Sequence, residues 1–335
     1  MTPVRAPGIT GVLAVLVGVA LLLAVAAGRY PVTMMQLLDA LFAGPPDSNA
    51  ERFGAQNLVW QLRGPRVLVA ALVGAALAAS GAAMQSVFRN PLAAPDLLGV
   101  SAGAALGAVL AILLGWPTGM LQAAAFAGGL AAVGLVWSLG RRLPLRDPML
   151  GLVLAGIAIG SLLGALVSLA KLLVDPIGEL PAITFWLLGS FAGIEASQLG
   201  WVAGAMLLGM LPLIALRWKA DALALSDDEV RSLGIQVARL RLWLVLGATL
   251  LAAVSVAAAG IIGWVGLVVP HAARMLVGAS FARLLPVSAL LGALLMVVID
   301  ALSRSIAMTE VPPGVLTAVV GAPALFALMM RSRHV

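Results

Sequence analysis

Uninterrupted apolar runs of about 20 residues recur along this chain from Ile9 to Met330, each long enough to cross the roughly 30 Å hydrocarbon layer of a bilayer as a helix. That recurrence leaves little choice of architecture. Inside lipid every backbone polar group must be satisfied within the spanning structure, which permits helix bundles and closed barrels. Continuous apolar runs, without the alternation of a barrel strand, select helices. Composition agrees, since 62% of the 335 residues are hydrophobic and only 10% are charged, where a soluble domain carries about 25% charged residues. The expected fold class is all-α, a polytopic transmembrane helix bundle. The first run, Ile9–Gly28, follows an arginine as a signal peptide would, but it is long and lacks a clear small-x-small cleavage site. It is read as the first span.

Spans are expected at 9–28, 64–87, 97–115, 118–139, 149–173, 197–217, 240–260, 264–278, 284–307 and 314–331, ten in all. The apolar stretch Leu242–Pro270 is too long for one untilted span and contains Gly260, Gly263 and Gly266, so it is divided into two helices with a turn near Gly263. With the N-terminus in the cytoplasm, Arg5, Arg89, Arg141, Arg142, Arg146, Arg217, Lys219, Arg231, Arg239, Arg241, Arg274, Arg283, Arg331 and Arg333 fall inside. Arg29, Arg52, Arg63, Arg66, Lys171 and Arg304 fall outside. This excess inside follows the positive-inside rule. It places both termini in the cytoplasm, and Arg29–Gln61 and Asp175–Glu195 in the periplasm. Residues 1–335 read as a single membrane domain. Its spans are rich in Gly and Ala, which let helices approach closely in lipid.

Several chemistries are excluded. The chain has no cysteine, so disulfides, thiol catalysis and cysteine metal sites are absent. Its net charge of +6 comes from arginines between spans, not from a basic stretch interleaved with aromatics, so nucleic acid is not an expected partner. A P-loop needs a lysine in a glycine-rich loop, and the two lysines, Lys171 and Lys219, lie in no such context. ATP and Mg, if used, belong to another polypeptide. An intramembrane enzyme lacks its paired histidines or a serine with a basic partner. An ion-coupled secondary transporter needs titratable groups at midplane, where Asp300 stands nearly alone.

Polar residues within or beside the spans are the candidate functional positions. Asp300, expected near the middle of its helix, has Arg304 four residues on, the spacing of an internal pair. His271 is read as a structural cap in preference to a metal ligand or proton relay, and Asn90-Pro91 and Pro270-His271 are expected to break their helices. Between the sixth and seventh spans, Ser226 and Glu229 have capping-box spacing, Asp227 and Asp228 suit a helix N-terminus, and Gly234 can end the helix in a left-handed cap. A second short turn is expected through Val237–Leu240. Such a pair of surface helices would offer Leu225, Val230, Leu233 and Ile235 to a partner.

The stretch Gln61-Leu-Arg-Gly-Pro-Arg66 continuing to Gln85, then Arg89-Asn-Pro-Leu-Ala-Ala-Pro-Asp-Leu-Leu-Gly-Val-Ser101, resembles the FecCD-type permease family of ABC importers for iron–siderophore, haem and cobalamin. Gly263-Trp-Val-Gly-Leu-Val-Val-Pro-His-Ala-Ala-Arg274, Leu284–Ala293 and Glu310–Pro323 resemble it in the same order, so the likeness runs over about 55–331. Trp264 and Gly64 depart from the family's usual Phe or Ile and Leu. The resemblance implies ten helices with short cytoplasmic coupling helices, a second permease copy forming a homodimer or a close heterodimer, two ATPase subunits carrying ATP and Mg, and a periplasmic substrate-binding protein. It assigns ATPase coupling to Ser226, Asp227, Asp228, Glu229, Arg231, Leu233, Gly234 and Arg239, and binding-protein docking to Arg63, Arg66 and Arg304. The expected cargo is iron–siderophore, with haem, cobalamin and molybdate as alternatives. A path of small or flexible side chains is expected at Ser80, Met84, Gln85, Ser161 and Ser168. The chain itself is expected to bind no cofactor or metal.

Overall fold

A computed structural model describes residues 6–28, 32–45, 54–144 and 148–332. Arg5, Arg29, Arg52, Arg146 and Arg333 of the charge tally lie outside the described residues. Eight helices are long and apolar enough to span a bilayer: α1 (Ala6–Ala26), α3 (Ala55–Val87), α5 (Thr118–Gly140), α6 (Pro148–Leu173), α8 (Ala196–Ala215), α10 (Val237–Ala259), α12 (Phe281–Ser303) and α13 (Pro313–Ser332). Two shorter apolar helices, α4 (Val100–Leu113) and α11 (Val265–Val277), complete the ten expected segments. Short helices α2 (Met34–Ala43), α7 (Glu179–Leu187) and α9 (Asp227–Ser232) lie in the connections. The chain is a multi-pass membrane protein.

Helix α3 is the axis of the bundle. It packs most extensively on α12 and also against α10, α11 and α8, and from Val69 to Val87 most of its side chains are fully buried. Small residues make this possible. A Cβ on Gly74 would overlap the Gly292 carbonyl, a Cβ on Gly292 would overlap that of Gly74, and a Cβ on Gly81 would overlap the Gly266 carbonyl. Backbone contact of this kind replaces the hydrophobic effect, which does not drive association within lipid. The same device joins α4 to α5 through Gly103 and Gly128.

Two boundaries here differ from expectation and a third agrees with it. Helix α3 begins at Ala55, nine residues before Gly64, because a widened π-type turn over Leu58–Arg63, closed by the Gly64 amide on the Val59 carbonyl, carries the helix into Gly64-Pro65. Pro270 lies inside α11 and does not end it. Pro270 is the sixth residue of the helix, past the amides that a first turn leaves free, and the Gly266 carbonyl it leaves without a donor faces Gly81 at the close contact with α3. The expected turn in the long apolar stretch is present between α10 and α11, where Gly260 and Trp264 take positive φ values of 71° and 70°.

Helix α12 ends at Ser303, so Asp300 lies in its last turn and not at its middle. The chain then doubles back, with the Val311 amide donating to the Ser303 carbonyl and the Ser303 hydroxyl to that of Val311. This return brings Glu310 beside Arg66.

Candidate functional site

Two polar constellations mark the two ends of the bundle. At the first, Asp300 is fully enclosed and receives two guanidinium groups. Arg66 of α3 donates Nε to Asp300 Oδ1 at 2.7 Å and pairs as well with Glu310. Arg304 donates Nε to Asp300 Oδ2 at 3.1 Å, forming the internal pair expected from the spacing. Arg304 also donates Nη1 to the Ala27 carbonyl at 2.9 Å and Nη2 to the Ala24 carbonyl at 3.0 Å. Arg63 donates Nη1 to the carbonyls of Val25 and Ala26, both at 3.2 Å.

Those four consecutive carbonyls end α1, where a helix leaves its last C=O groups without partners and carries partial negative charge. Two arginines from distant parts of the chain therefore cap it. The expectation that Arg63, Arg66 and Arg304 stand on the surface is corrected accordingly. Arg63 is 8% exposed, and the side chains of Arg66 and Arg304 are 13% and 11% exposed. With Gly28, Phe191, Glu195 and Glu310 they line a cavity of about 500 Å³.

The second constellation is built on α9. Its Ser226–Glu229 capping box is complete, with the Glu229 amide donating to Ser226 Oγ at 3.3 Å and the Ser226 amide to Glu229 Oε2 at 2.8 Å. Gly234 has φ +75° and its amide closes the helix on the Arg231 carbonyl at 2.9 Å, which is the left-handed cap expected there. No separate turn follows. Val237 is already the first residue of α10, because the apolar period of that span starts there, and the extra turns instead precede α9 at Arg217–Ala220 and Asp221–Ala224. Leu225 and Leu233 are exposed, whereas Val230 is buried and Ile235 half-buried against the core. Asp228, Arg231 and Arg239 are exposed.

Asp227 ties this segment down. Arg241 of α10 donates to both its oxygens at 2.9 and 2.8 Å, and Arg89 donates Nη2 to Oδ1 at 2.9 Å. Arg89 donates Nε to the Leu223 carbonyl at 2.6 Å and reaches the Leu225 carbonyl as well. Arg89 follows α3 in a left-handed conformation, φ 49°, with the Asn90 amide returning to the Gln85 carbonyl. This is a Schellman ending whose left-handed position normally carries glycine, and a side chain there costs about 1–2 kcal/mol.

The remaining expected positions divide. Ser80, Met84 and Gln85 are 0%, 0% and 1% exposed. Ser80 donates to the Ala248 carbonyl at 2.6 Å and Gln85 to that of Leu267 at 3.1 Å. They join α3 to α10 and α11 and are enclosed within the chain, not on an open face, although Gln85 also borders a cavity with Arg89 and Arg274. Ser161 and Ser168 do lie on the open face of α6 with Leu154 and Ile157. His271 caps nothing, since both ring nitrogens are enclosed without a hydrogen-bond partner among the described residues.

The FecCD transport family model matches residues 15–331. The chain belongs to that family. The molybdate import system permease protein MolB of Haemophilus influenzae is 38% identical over 323 residues, covering 94% of this chain and 95% of that protein. The probable iron chelatin transport system permease protein of Helicobacter pylori is 38% identical over 287 residues, 86% of each chain. A solved structure described as an inward-facing conformation of a metal-chelate type ABC transporter superposes with a TM-score of 0.86 at 36% identity, covering 97% of this chain and 99% of the other. This FecCD chain is thus a membrane permease component and not an enzyme.

In this permease, sequence reasoning missed Arg89, Arg241, Asp221 and Glu310 as site residues. Their partners lie up to 244 residues away, so no local spacing marks them. The one available signal was an arginine directly before Asn90-Pro91, where a helix must end.

Burial pushes the Asp227 carboxyl up, but hydrogen bonds and charge from Arg241 and Arg89 outweigh it and the net displacement is downward. A carboxylate whose folded pKa is depressed contributes stability above its unfolded value, about 3.9, and loses it as pH falls through the folded value. Lowering pH from 7 to 4.5 should therefore leave the clamp intact, with loosening only in stronger acid. Thermal unfolding of the parent and Asp227→Asn proteins in detergent between pH 7 and 3 checks this. The gap between them should close only below pH 4.

Proposed function

We propose that this chain is the permease subunit of an ATP-driven importer that moves a metal chelate, iron–siderophore first, across the bacterial inner membrane into the cytoplasm. Two copies would pair, two separate ATPase subunits would engage the α9 end, and a soluble binding protein would deliver cargo at the Asp300 end. Both termini are assigned to the cytoplasm. The observation that carries the reading is the α9 segment: a capped helix with Leu225 and Leu233 exposed, yet bridged through Asp227 to the ends of α3 and α10. It is a docking surface joined to the transmembrane core. The molybdate relative, which aligns over 94% of this chain, favours molybdate as a second cargo.

Docking at the other end is assigned to the rim formed by Arg63, Arg66, Arg304, Glu195 and Glu310. The arginines are engaged internally, so each exposed contact contributes only about 0.2–1 kcal/mol and steers more than it holds. The reading is tested by reconstituting the purified chain with and without its ATPase in liposomes and measuring ATP hydrolysis and uptake of ferric siderophore and of molybdate. Hydrolysis is expected only with the ATPase, and uptake of one of the two cargoes only with ATP. Hydrolysis by the chain alone would overturn the assignment.

A further inference from the structure

Two carboxylates hold the α9 segment to the bundle, and they grip different helices. Asp227 binds Arg89 at the end of α3 and Arg241 near the start of α10. Asp221, six residues earlier, accepts from the Phe281 amide and from Ser280 Oγ at 3.0 Å. Ser280 precedes α12 but does not cap it with its own side chain. Asp221 performs that office from outside, placing a carboxylate where the first amides and the positive end of α12 call for one. The left-handed strain at Arg89 is consistent with a side chain needed at that spot, since glycine would end the helix at lower cost but could reach neither Leu223, Leu225 nor Asp227.

The helices so gripped form one body. α3 and α12 meet backbone to backbone at Gly74 and Gly292, with Ala78 and Met296 packed closely beside the contact. At the far end Arg66 of α3 is bound to Asp300 of α12, and Arg304 ties the end of α12 to α1. A displacement delivered to α9 thus has two attachment points on a pair of helices that cannot slide past each other without breaking close contacts. Helix α6 stands apart from this body. It packs on α4, α5 and the turn Pro95–Leu98, and exposes Leu154, Ile157, Leu162 and Leu166.

We propose that Asp221 and Asp227 are the positioning residues through which movement of the coupling segment becomes movement of the α3–α12 pair, relative to α6. This rests on the coupling role assigned above and names how the segment is attached. Neither residue needs to touch cargo or nucleotide.

The absence of cysteine makes the test direct. Spin labels at Ser232→Cys and Leu162→Cys report whether the segment moves against α6, and labels at Ser232→Cys and Ser305→Cys report whether it moves together with α12. Distances are measured in the assembled transporter with and without ATP. The 232–162 distance should change on ATP while the 232–305 distance stays narrow and constant. In Asp221→Ala and Asp227→Asn the 232–305 distance should broaden and become ATP-dependent, and transport per ATP should fall about fivefold or more. Asp221→Asn should behave as the parent, since its amide oxygen still accepts from the Phe281 amide. That rescue separates attachment from general destabilisation. A 232–305 distance that changes on ATP in the parent, or that stays narrow in Asp221→Ala and Asp227→Asn, overturns the inference and leaves the coupling role standing. A 232–162 distance unmoved by ATP removes the coupling role and the inference together.

Discussion

Replacing Gly234 with proline is expected to abolish productive uptake while leaving a chain that still inserts into the membrane. Gly234 has φ +75°, a value closed to the pyrrolidine ring, which fixes φ near −65°. Its amide also closes α9 on the Arg231 carbonyl, and proline has no amide to donate. The helix would lose both its end and its angle to α10, so Leu225 and Leu233 would no longer be presented as one surface. The loss should be on the order of tenfold or more in cargo moved per ATP, the scale of a coupling free energy of about 1–3 kcal/mol. Parallel measurement of membrane-inserted protein, ATPase co-purification and uptake checks it. Unchanged uptake with the variant would show that the geometry of this helix is not used.

A second large effect is expected at Asp300. It is the buried counter-charge of two arginines that are themselves nearly enclosed. Asp300→Ala leaves Arg66 with Glu310 alone and Arg304 with backbone carbonyls only. Removing one partner from a buried ionic group costs about 3–5 kcal/mol, because the remaining charge stays out of water. The variant should express poorly and unfold at clearly lower temperature in detergent. Asp300→Ala combined with Arg304→Leu should recover part of the loss, since one stranded charge goes with its partner. Thermal unfolding of the single and double variants decides the matter. A double variant no better than the single would mean that the Arg304 carbonyl contacts, and not the charge, carry the effect. The same measurement bears on any docking experiment at this end. Reversing Arg66 or Arg304 to glutamate perturbs the fold before it perturbs a partner, so reduced docking needs a stability control.

Much of the architecture was legible because a membrane span is specified by one property over about 20 residues, and that property is local. The ten expected segments are all helical for this reason, eight of them long enough to span, and the division near Gly263 falls where glycines mark the turn. Helix α9 was legible for a related reason. Ser226, Glu229 and Gly234 state its beginning and end within nine positions, and capping is a short-range interaction. The failures share a cause as well. Whether Ser80 or Gln85 lines a path depends on which face α3 turns toward α10 and α11, and a helix buried on nearly every side leaves no amphipathic trace in its sequence. The roles of Arg63, Arg66 and Arg304 depend on the end of α1 and on Glu310, which only the folded chain brings near. Pro270 misled because packing against α3, at the Gly81–Gly266 contact, holds α11 helical through a residue that by itself disfavours it.

The end of α1 bears on the order in which the protein is made. Its last four carbonyls are satisfied by Arg63 and Arg304, one emerging from the ribosome soon after the helix and the other some 277 residues later. Until the segment that carries Arg304 has been synthesised, the carbonyls of Ala24 and Ala27 have only water or lipid headgroups to bond. The end of α1 is therefore completed late, and in a nascent chain stalled before Arg304 only its Val25 and Ala26 carbonyls have their arginine partner. Closure of this end of the bundle thus depends on a residue from the far part of the chain.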